Sequence, residues 1–322
     1  MPMLSHTTRR MTGARTLLFS LAVVSAVPVS GQSISPKFSW PATASAELMS
    51  TGDSRSSMAG RLDSARYRTR SKIEVRPDAR GLLISTGPTE TLKGSVGGAN
   101  GPSMAGMLSM VTRYLVSREG RFLELTDTAV MKRQLDSAAQ PFMAQMASLP
   151  PQMREAMSSV FSIATMQTQT ERSWWQQTGA LISRSWAPGD SLVLRYDEPL
   201  PTLPGAKIPF TQIMRYAGAV SCPTGSTVAN CWRFTSGIDV DKAGLRRAMV
   251  QMLKQMGVDD ESMIDQIPIP ITTISMALVY DAATSRLVEQ TVETRVEAPG
   301  APAMNVPPTS VRTDVVTRYT WK

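Results

Sequence analysis

Residues 311–321 alternate between two kinds of side chain, and this pattern constrains the fold more than any other feature of the chain. One set is apolar, aromatic or threonine: Val311, Thr313, Val315, Thr317, Tyr319 and Trp321. The intervening residues are mostly polar: Arg312, Asp314, Val316, Arg318 and Thr320. Because successive side chains of a strand point to opposite faces, the pattern predicts a β-strand with one buried and one wet face. We therefore expect an antiparallel sheet that is packed on one side.

Strand patterns recur along the chain, separated by turn-forming residues. Residues 67–77 and 81–86 are predicted to form one hairpin, and residues 110–117 and 120–126 a second. Further strands are predicted within residues 191–200, 210–220, 230–240, 271–281 and 285–298. Residues 32–65 have few large apolar side chains and much Ser, Thr, Ala and Gly, which predicts a poorly ordered leader or an edge segment.

Three segments have helical spacing of their apolar residues instead. Pro150-Pro151 separates residues 127–147 from residues 151–182, and the third segment, residues 242–257, ends at a glycine that is typical of a helix C-terminus. Several of the apolar residues are methionine, of which the chain has 21. The fold class expected is α+β. Residues 66–322 should form one domain with a large curved antiparallel sheet, a half-barrel, and about three Met-rich helices on its concave face.

The N-terminus has the three parts of a cleavable signal peptide. Arg9, Arg10 and Arg15 precede an apolar core at residues 16–27, which is too short to cross a bilayer of about 30 Å as a helix. Small residues favour cleavage after Gly31, with Ala26 as the alternative. We expect residues 1–31 to be removed and the mature chain to be periplasmic or secreted, without a transmembrane helix.

The predicted cleavage also limits the chemistry of the mature chain. The only histidine, His6, lies in the removed segment, which excludes histidine-based nucleophile systems and histidine metal sites. Loss of three arginines and no acid lowers the formal net charge from +8 to +5, too little for a nucleic-acid-binding protein of this size. We expect no cofactor, no metal and no enzymatic activity, although carboxylates remain available as catalysts.

Cys222 and Cys231 enclose a segment rich in turn-forming residues. Apolar and aromatic residues flank both cysteines, as in a hairpin. An even cysteine count in an exported chain predicts a disulfide that staples this hairpin near its loop.

Two short phrases carry a resemblance. They are PGDS at residues 188–191, before a strand, and YDAATSRLVEQTVET at residues 280–294. With the signal peptide and the long strands, they resemble uncharacterised secreted bacterial proteins related to the periplasmic lipoprotein-carrier superfamily. The resemblance covers about residues 65–321. It implies a curved antiparallel sheet that wraps around helices and can hold an acyl chain, and it assigns no functional residue.

Flexible methionines and aromatic rings beside a concave sheet would form an adaptable apolar pocket. The candidate ligand-binding residues are Phe142, Met146, Met157, Phe161, Trp174, Trp175, Met249 and Leu253. The same spacing is typical of an ordinary helix core. Some methionines recur at Met-x-x-Met spacing, such as Met143 with Met146 and Met249 with Met252. A third interpretation of this spacing is a Cu(I) site built from thioether sulfurs.

The expected function is that of a non-catalytic envelope protein that binds an apolar ligand, such as a lipid, or an envelope partner protein. Two alternatives remain open. One is a structural or assembly factor with a filled core, and the other is a histidine-free hydrolase that uses carboxylates.

Overall fold

The structure, a computed structural model, describes residues 32–58, 60–94, 110–145, 158, 161–199, 207–224, 228, 230–255, 269–300 and 307–322. The predicted signal peptide lies outside these residues. The described strands are β1 (Ala44–Met58), β2 (Arg61–Asp78), β3 (Gly81–Thr86), β4 (Glu90–Lys93), β5 (Thr112–Val116), β6 (Phe122–Leu125), β7 (Ser191–Pro199), β8 (Lys207–Ser221), β9 (Asn230–Val240), β10 (Ile271–Asp281), β11 (Leu287–Ala298) and β12 (Thr309–Trp321).

Helical elements accompany the strands in the described part of the chain. Helix α1 is Thr128–Gln145, and α3 is Lys242–Gln255. Helix α2 begins at Ile163, where the Ser162 side chain caps it, and continues from Trp174 through a π-helical turn to Ile182. Among the described residues, no helix has both the length and the apolar character needed to cross a membrane.

The strands form one antiparallel sheet in the order β6-β5-β3-β2-β1-β12-β11-β10-β9-β8-β7, with β4 paired to β2. Strands β6 and β7 stand at the two ends of this order, so the described sheet is open. The C-terminal strand β12 lies between β1 and β11, near the middle, which explains its clear alternation. Both predicted hairpins are confirmed as β2–β3 and β5–β6.

The segment predicted to be a poorly ordered leader, residues 32–65, instead contains β1 and the start of β2. Strand β1 pairs along its length with β2 on one side and β12 on the other, and its backbone is hydrogen-bonded in both ladders. The small side chains of residues 44–58 misled the prediction, because a central strand is held by its backbone pairing as well as by its side chains. Upstream, Ile34 forms an antiparallel bridge with Trp186.

One face of the sheet packs against α2, and we call it the inner face. Ala180 and Leu181 of α2 pack with Phe234 of β9, while Trp174 packs with Ala46 and Trp321. Helix α1 adds a further cluster in which Met131 and Leu135 contact Leu125 of β6.

The predicted disulfide is present between Cys222 and Cys231, at the β8–β9 connection. It lies on the opposite face, the outer face, where Cys231 packs with Val279 and Val288. A sequence separation of nine residues makes this a short loop.

Removal of the disulfide should therefore have a modest effect on stability. Replacing both Cys222 and Cys231 by alanine is expected to lower the free energy of unfolding by about 2–3 kcal/mol, because the unfolded chain regains the entropy of a short open loop. Urea unfolding of the oxidised wild type and the double variant measures the difference. A reductant should shift the wild type and leave the variant unchanged; an equal shift of both proteins would contradict the account.

Candidate functional site

The inner face of six adjacent strands carries no charged side chain. The strands are β1, β12, β11, β10, β9 and β8, and all of their residues are described. Directly paired residues share a face. The inner-face positions are therefore the even-numbered residues of β1, β9 and β10 and the odd-numbered residues of β12. On β8 they are the even-numbered residues from 208 to 216, and on β11 they are Leu287 and the even-numbered residues from 290 to 298.

The outer face of the central strands is, by contrast, rich in ion pairs. Arg66 donates to Asp53 at 2.8 Å, and Arg318 donates to Glu289 at 2.9 Å. The hydrogen bond from Arg66 holds the pKa of the Asp53 carboxyl below its ordinary value. These pairs are largely exposed and contribute little to stability, but they identify the outer face as the side in contact with water.

The inner face has two parts, of which the first is filled by protein. Phe38 and Trp40, which precede β1, stack on each other, and both rings meet Trp174 edge to face. The indole of Trp174 donates to the Gly120 carbonyl at 2.8 Å, and that of Trp321 donates to the Leu287 carbonyl at 2.7 Å. Large aromatic side chains therefore occupy the space between sheet and α2.

Two tyrosines complete this filled part, of which Tyr280 is buried and Tyr319 is half-buried. Burial raises the pKa of Tyr280 and of Tyr319 far above the ordinary tyrosine value. The Tyr280 hydroxyl donates to the Gln177 carbonyl of α2. Both groups stay protonated at physiological pH and act as core hydrogen-bonding groups.

The second part consists of small uncharged side chains in two cross-strand rows, and we call it the distal inner face. Its residues are Gly52, Val315, Val292 and Met276 in one row and Ser54, Thr313, Thr294, Ile274 and Ile238 in the next. All are half-buried except Gly52, which is buried. Ser54 and Thr313 hydrogen-bond to each other at 3.1 Å, so their hydroxyls are satisfied within the sheet.

The row that contains Ile238 continues on β8 to Gln212, which pairs with Ile238 across the strands. Gln212 is fully buried, and its amide nitrogen donates to the Ser236 hydroxyl at 2.9 Å. Its carboxamide oxygen is buried and accepts no hydrogen bond. The other described buried side-chain atoms without a partner, in Trp40 and Thr126, lie outside the strands.

Four of the residues predicted to bind a ligand have described side chains, and these four have different surroundings. Trp174 is buried in the aromatic core, whereas its neighbour Trp175 is 43% exposed and covers Gly179 within the π-helical turn. Phe161 is half-buried against the α1 cluster, and Met249 is half-buried on α3. The side chains of Phe142 and Leu253, and all of Met146 and Met157, lie outside the described part.

The predicted ligand-binding residues all lie in the predicted helical segments, whereas the distal inner face is formed by strands. The alternation of residues 311–321 did reveal an uncharged face, but the pairing that aligns it with five other strands is not visible in one segment. Gln212 gave no signal, because a lone glutamine within a strand pattern is common.

Three described acidic residues of the outer face are adjacent across strands, Asp53 beside Asp314 and Asp314 beside Glu293, and each is bound by arginine. Glu293 binds Arg295 and Arg312, and Asp53 binds Arg55 and Arg66, all on the outer face. Asp281 is buried, but its carboxylate accepts from Ala283 and Thr284 within the β10–β11 turn. Within the described ranges, no three His, Cys, Asp or Glu side chains come together as a metal-binding group.

No protein-family model and no curated protein matches the chain. Among solved structures, it is similar to one of lipid–protein interactions in lipovitellin, with a TM-score of 0.38 and 8% identity over 88% of this chain. The match spans 26% of the lipovitellin chain. It is also similar to a DUF1329 family protein from Desulfovibrio piger, with a TM-score of 0.17 and 13% identity over 85% of each chain. With TM-scores below 0.5, neither similarity identifies a fold family.

The adjacent tryptophans Trp174 and Trp175 provide a matched test of which aromatic residues fill the core. Trp174→Ala should lower the free energy of unfolding by about 3–5 kcal/mol, because it opens a cavity among aromatic rings and leaves the Gly120 carbonyl unpaired. Trp175→Ala should cost about 1 kcal/mol or less. Chemical unfolding of both variants gives the comparison, and equal losses would show that the packing described for Trp174 is incorrect.

Proposed function

We propose that this chain is an exported, non-catalytic protein that binds an apolar ligand of the lipid class on the distal inner face. In this proposal the inner face is the concave side of a half-barrel, and the helices lie on that side. The filled aromatic part fixes the sheet against α2, while the distal part receives the ligand.

The observation that carries the proposal is the separation of charge between the two faces of the same strands. Val315 of the distal inner face and Arg312 of the outer face are three residues apart in β12, yet the inner-face positions of six strands carry no charge. A sheet surface that faces water accommodates lysine, glutamate and arginine, so contact with water does not explain their absence. Contact with hydrocarbon does explain it, because an unpaired charge that faces an apolar ligand loses its hydration.

The size of the side chains supports the same reading. The filled part uses tryptophan, phenylalanine and tyrosine, whereas the distal inner face uses glycine, serine, threonine, valine, methionine and isoleucine. Five strands at about 4.8 Å spacing give the distal inner face a width of roughly 19 Å, which suits an extended acyl chain.

The disulfide supports the export part of the proposal. Structural disulfides persist in oxidising compartments and are rare in the cytosol of mesophiles. Cys222 and Cys231 are the chain's two cysteines, and they are paired with each other.

A structural or assembly role is the second candidate. The dense packing of Phe38, Trp40, Trp174 and Trp321 favours it, because a filled core needs no ligand. Failure of the wild-type protein to take up any apolar probe would support this candidate over the first.

Neighbouring valines in β12 allow a matched test of ligand binding. Val315 and Val316 are both half-buried, but Val315 is on the inner face and Val316 on the outer. Val315→Lys should weaken binding of the neutral fluorophore N-phenyl-1-naphthylamine at least tenfold, because the ammonium would have to lose water against the ligand. Val316→Lys should bind like the wild type.

Fluorescence titration measures both affinities, and circular dichroism shows whether each variant is folded. Equal binding by wild type and a folded Val315→Lys variant would refute the distal inner face as the binding surface.

Export predicts a defined N-terminus. When the full chain is expressed in a bacterial host with a periplasm, the mature protein should begin at Gln32 and be recovered from the periplasmic fraction. Mass spectrometry of the intact protein reads the cleavage site, and alkylation without reductant should leave both cysteines unmodified. A cytosolic protein that retains residue 1 and reacts with the alkylating reagent would rule out export.

A further inference from the structure

We propose that the carboxamide oxygen of Gln212 is the polar recognition point of the inner face, and that it selects apolar ligands carrying a neutral hydrogen-bond donor. A long-chain alcohol or the free hydroxyl of an acylglycerol has this chemistry. The inference deepens the proposed function and rests on it.

The position of Gln212 in the sheet places a polar group at the end of an apolar row. From Ser54 on β1, the row crosses β12, β11 and β10, reaches Ile238 on β9 and ends with Gln212 and Leu194 on β8 and β7. Ile238 and Leu194, its two cross-strand neighbours, are only half-buried. An apolar chain that lies along the row would bring its end group beside Gln212, and contact with the buried carboxamide requires movement of the side chains that cover it.

The hydrogen bonding of Gln212 is incomplete in one direction. Its amide nitrogen is held by Ser236 at 2.9 Å, which fixes the orientation of the carboxamide. Its oxygen is buried and accepts no hydrogen bond. A buried acceptor without a donor is unfavourable, so a ligand that supplies an O–H or N–H group at this point gains more than the same group would gain in water.

The electrostatics of the inner face restrict the charge of that ligand. A carboxylate or phosphate would meet an acceptor oxygen, and the inner-face positions of β1, β12, β11, β10, β9 and β8 contain no lysine or arginine to neutralise it. An ammonium group could donate to Gln212, but the same positions contain no aspartate or glutamate. With respect to these six strands, a neutral donor satisfies the oxygen without burying an unpaired charge.

Two ligands that differ only in the donor test this inference. Both 1-dodecanol and dodecyl methyl ether have an oxygen acceptor, but only the alcohol has an O–H group. The measurement is the competition of each ligand with bound N-phenyl-1-naphthylamine. The ratio of the two competition constants is determined for the wild type and for each variant. Comparing this ratio between proteins cancels the difference in hydrophobicity between the two ligands. The preference for the alcohol over the ether should be about tenfold larger in the wild type than in the Gln212→Leu variant, because one hydrogen bond to a buried acceptor contributes about this factor.

Gln290→Leu is the matched control, because Gln290 is an inner-face glutamine of β11 whose oxygen lies 3.5 Å from the Tyr319 hydroxyl. It should keep the preference of the wild type. Dodecanoate at pH 8 should displace the fluorophore from the wild type less well than 1-dodecanol does.

The outcomes separate this inference from the proposed function. If the wild type binds no fluorophore, the proposed function fails, and the inference fails with it. If the fluorophore binds but the alcohol preference survives in Gln212→Leu, or is also lost in Gln290→Leu, the inference is overturned while the proposed function stands.

A second variant covers the case in which Gln212→Leu does not fold. Gln212→Met is unbranched like glutamine and has no strong acceptor, so the same loss of preference is expected. Because the replacement removes an unsatisfied buried oxygen, its thermal midpoint should not fall below that of the wild type by more than a few degrees. A folded Gln212→Met protein with the full alcohol preference would contradict the proposal.

Discussion

The alternation of charged and uncharged positions along the central strands is the constraint on which the rest of this structure depends. A one-residue slip of β12 against β1 and β11 would move Arg312 onto the inner face and Val315 onto the outer face. Register is therefore fixed by charge as well as by apolar packing. The same constraint produces the aromatic core beneath α2 and the uncharged rows beyond it.

The two parts of the inner face are both uncharged, but their side chains differ in volume. Next to α2, the rings of Trp40, Trp174 and Trp321 meet at edge-to-face geometry and bury large apolar areas. Beyond them, Gly52 lies beneath the ring of Tyr67, and Ser54 and Thr313 bond to each other. Apart from Gly52, which Tyr67 covers, the distal inner face is an uncharged surface of smaller side chains. This difference in side-chain volume is the basis of the proposal that one part stabilises the fold and the other binds a ligand.

Much of the fold was predictable from local patterns, whereas the candidate site was not. The hairpins, the described helices, the β12 alternation and the Cys222–Cys231 disulfide each follow from a signal within one short segment. Strand β1 was not predicted, because its small side chains give no periodic signal. Its place in the sheet is set by backbone pairing with β2 and β12. The distal inner face was not predictable because it is assembled from five strands that are separate segments of the sequence. Trp174 and Trp175 show the same limit, since helical spacing does not say which of two adjacent indoles is buried.

The central claim is that an apolar ligand contacts the distal inner face. Photocrosslinking with a diazirine-bearing long-chain alcohol, followed by peptide mass spectrometry, tests it most directly. The account predicts adducts at inner-face positions such as Val292 and Val315, suppressed by excess 1-dodecanol, and none at the outer-face Val316. Adducts confined to the outer face, or labelling that excess alcohol does not suppress, would contradict it.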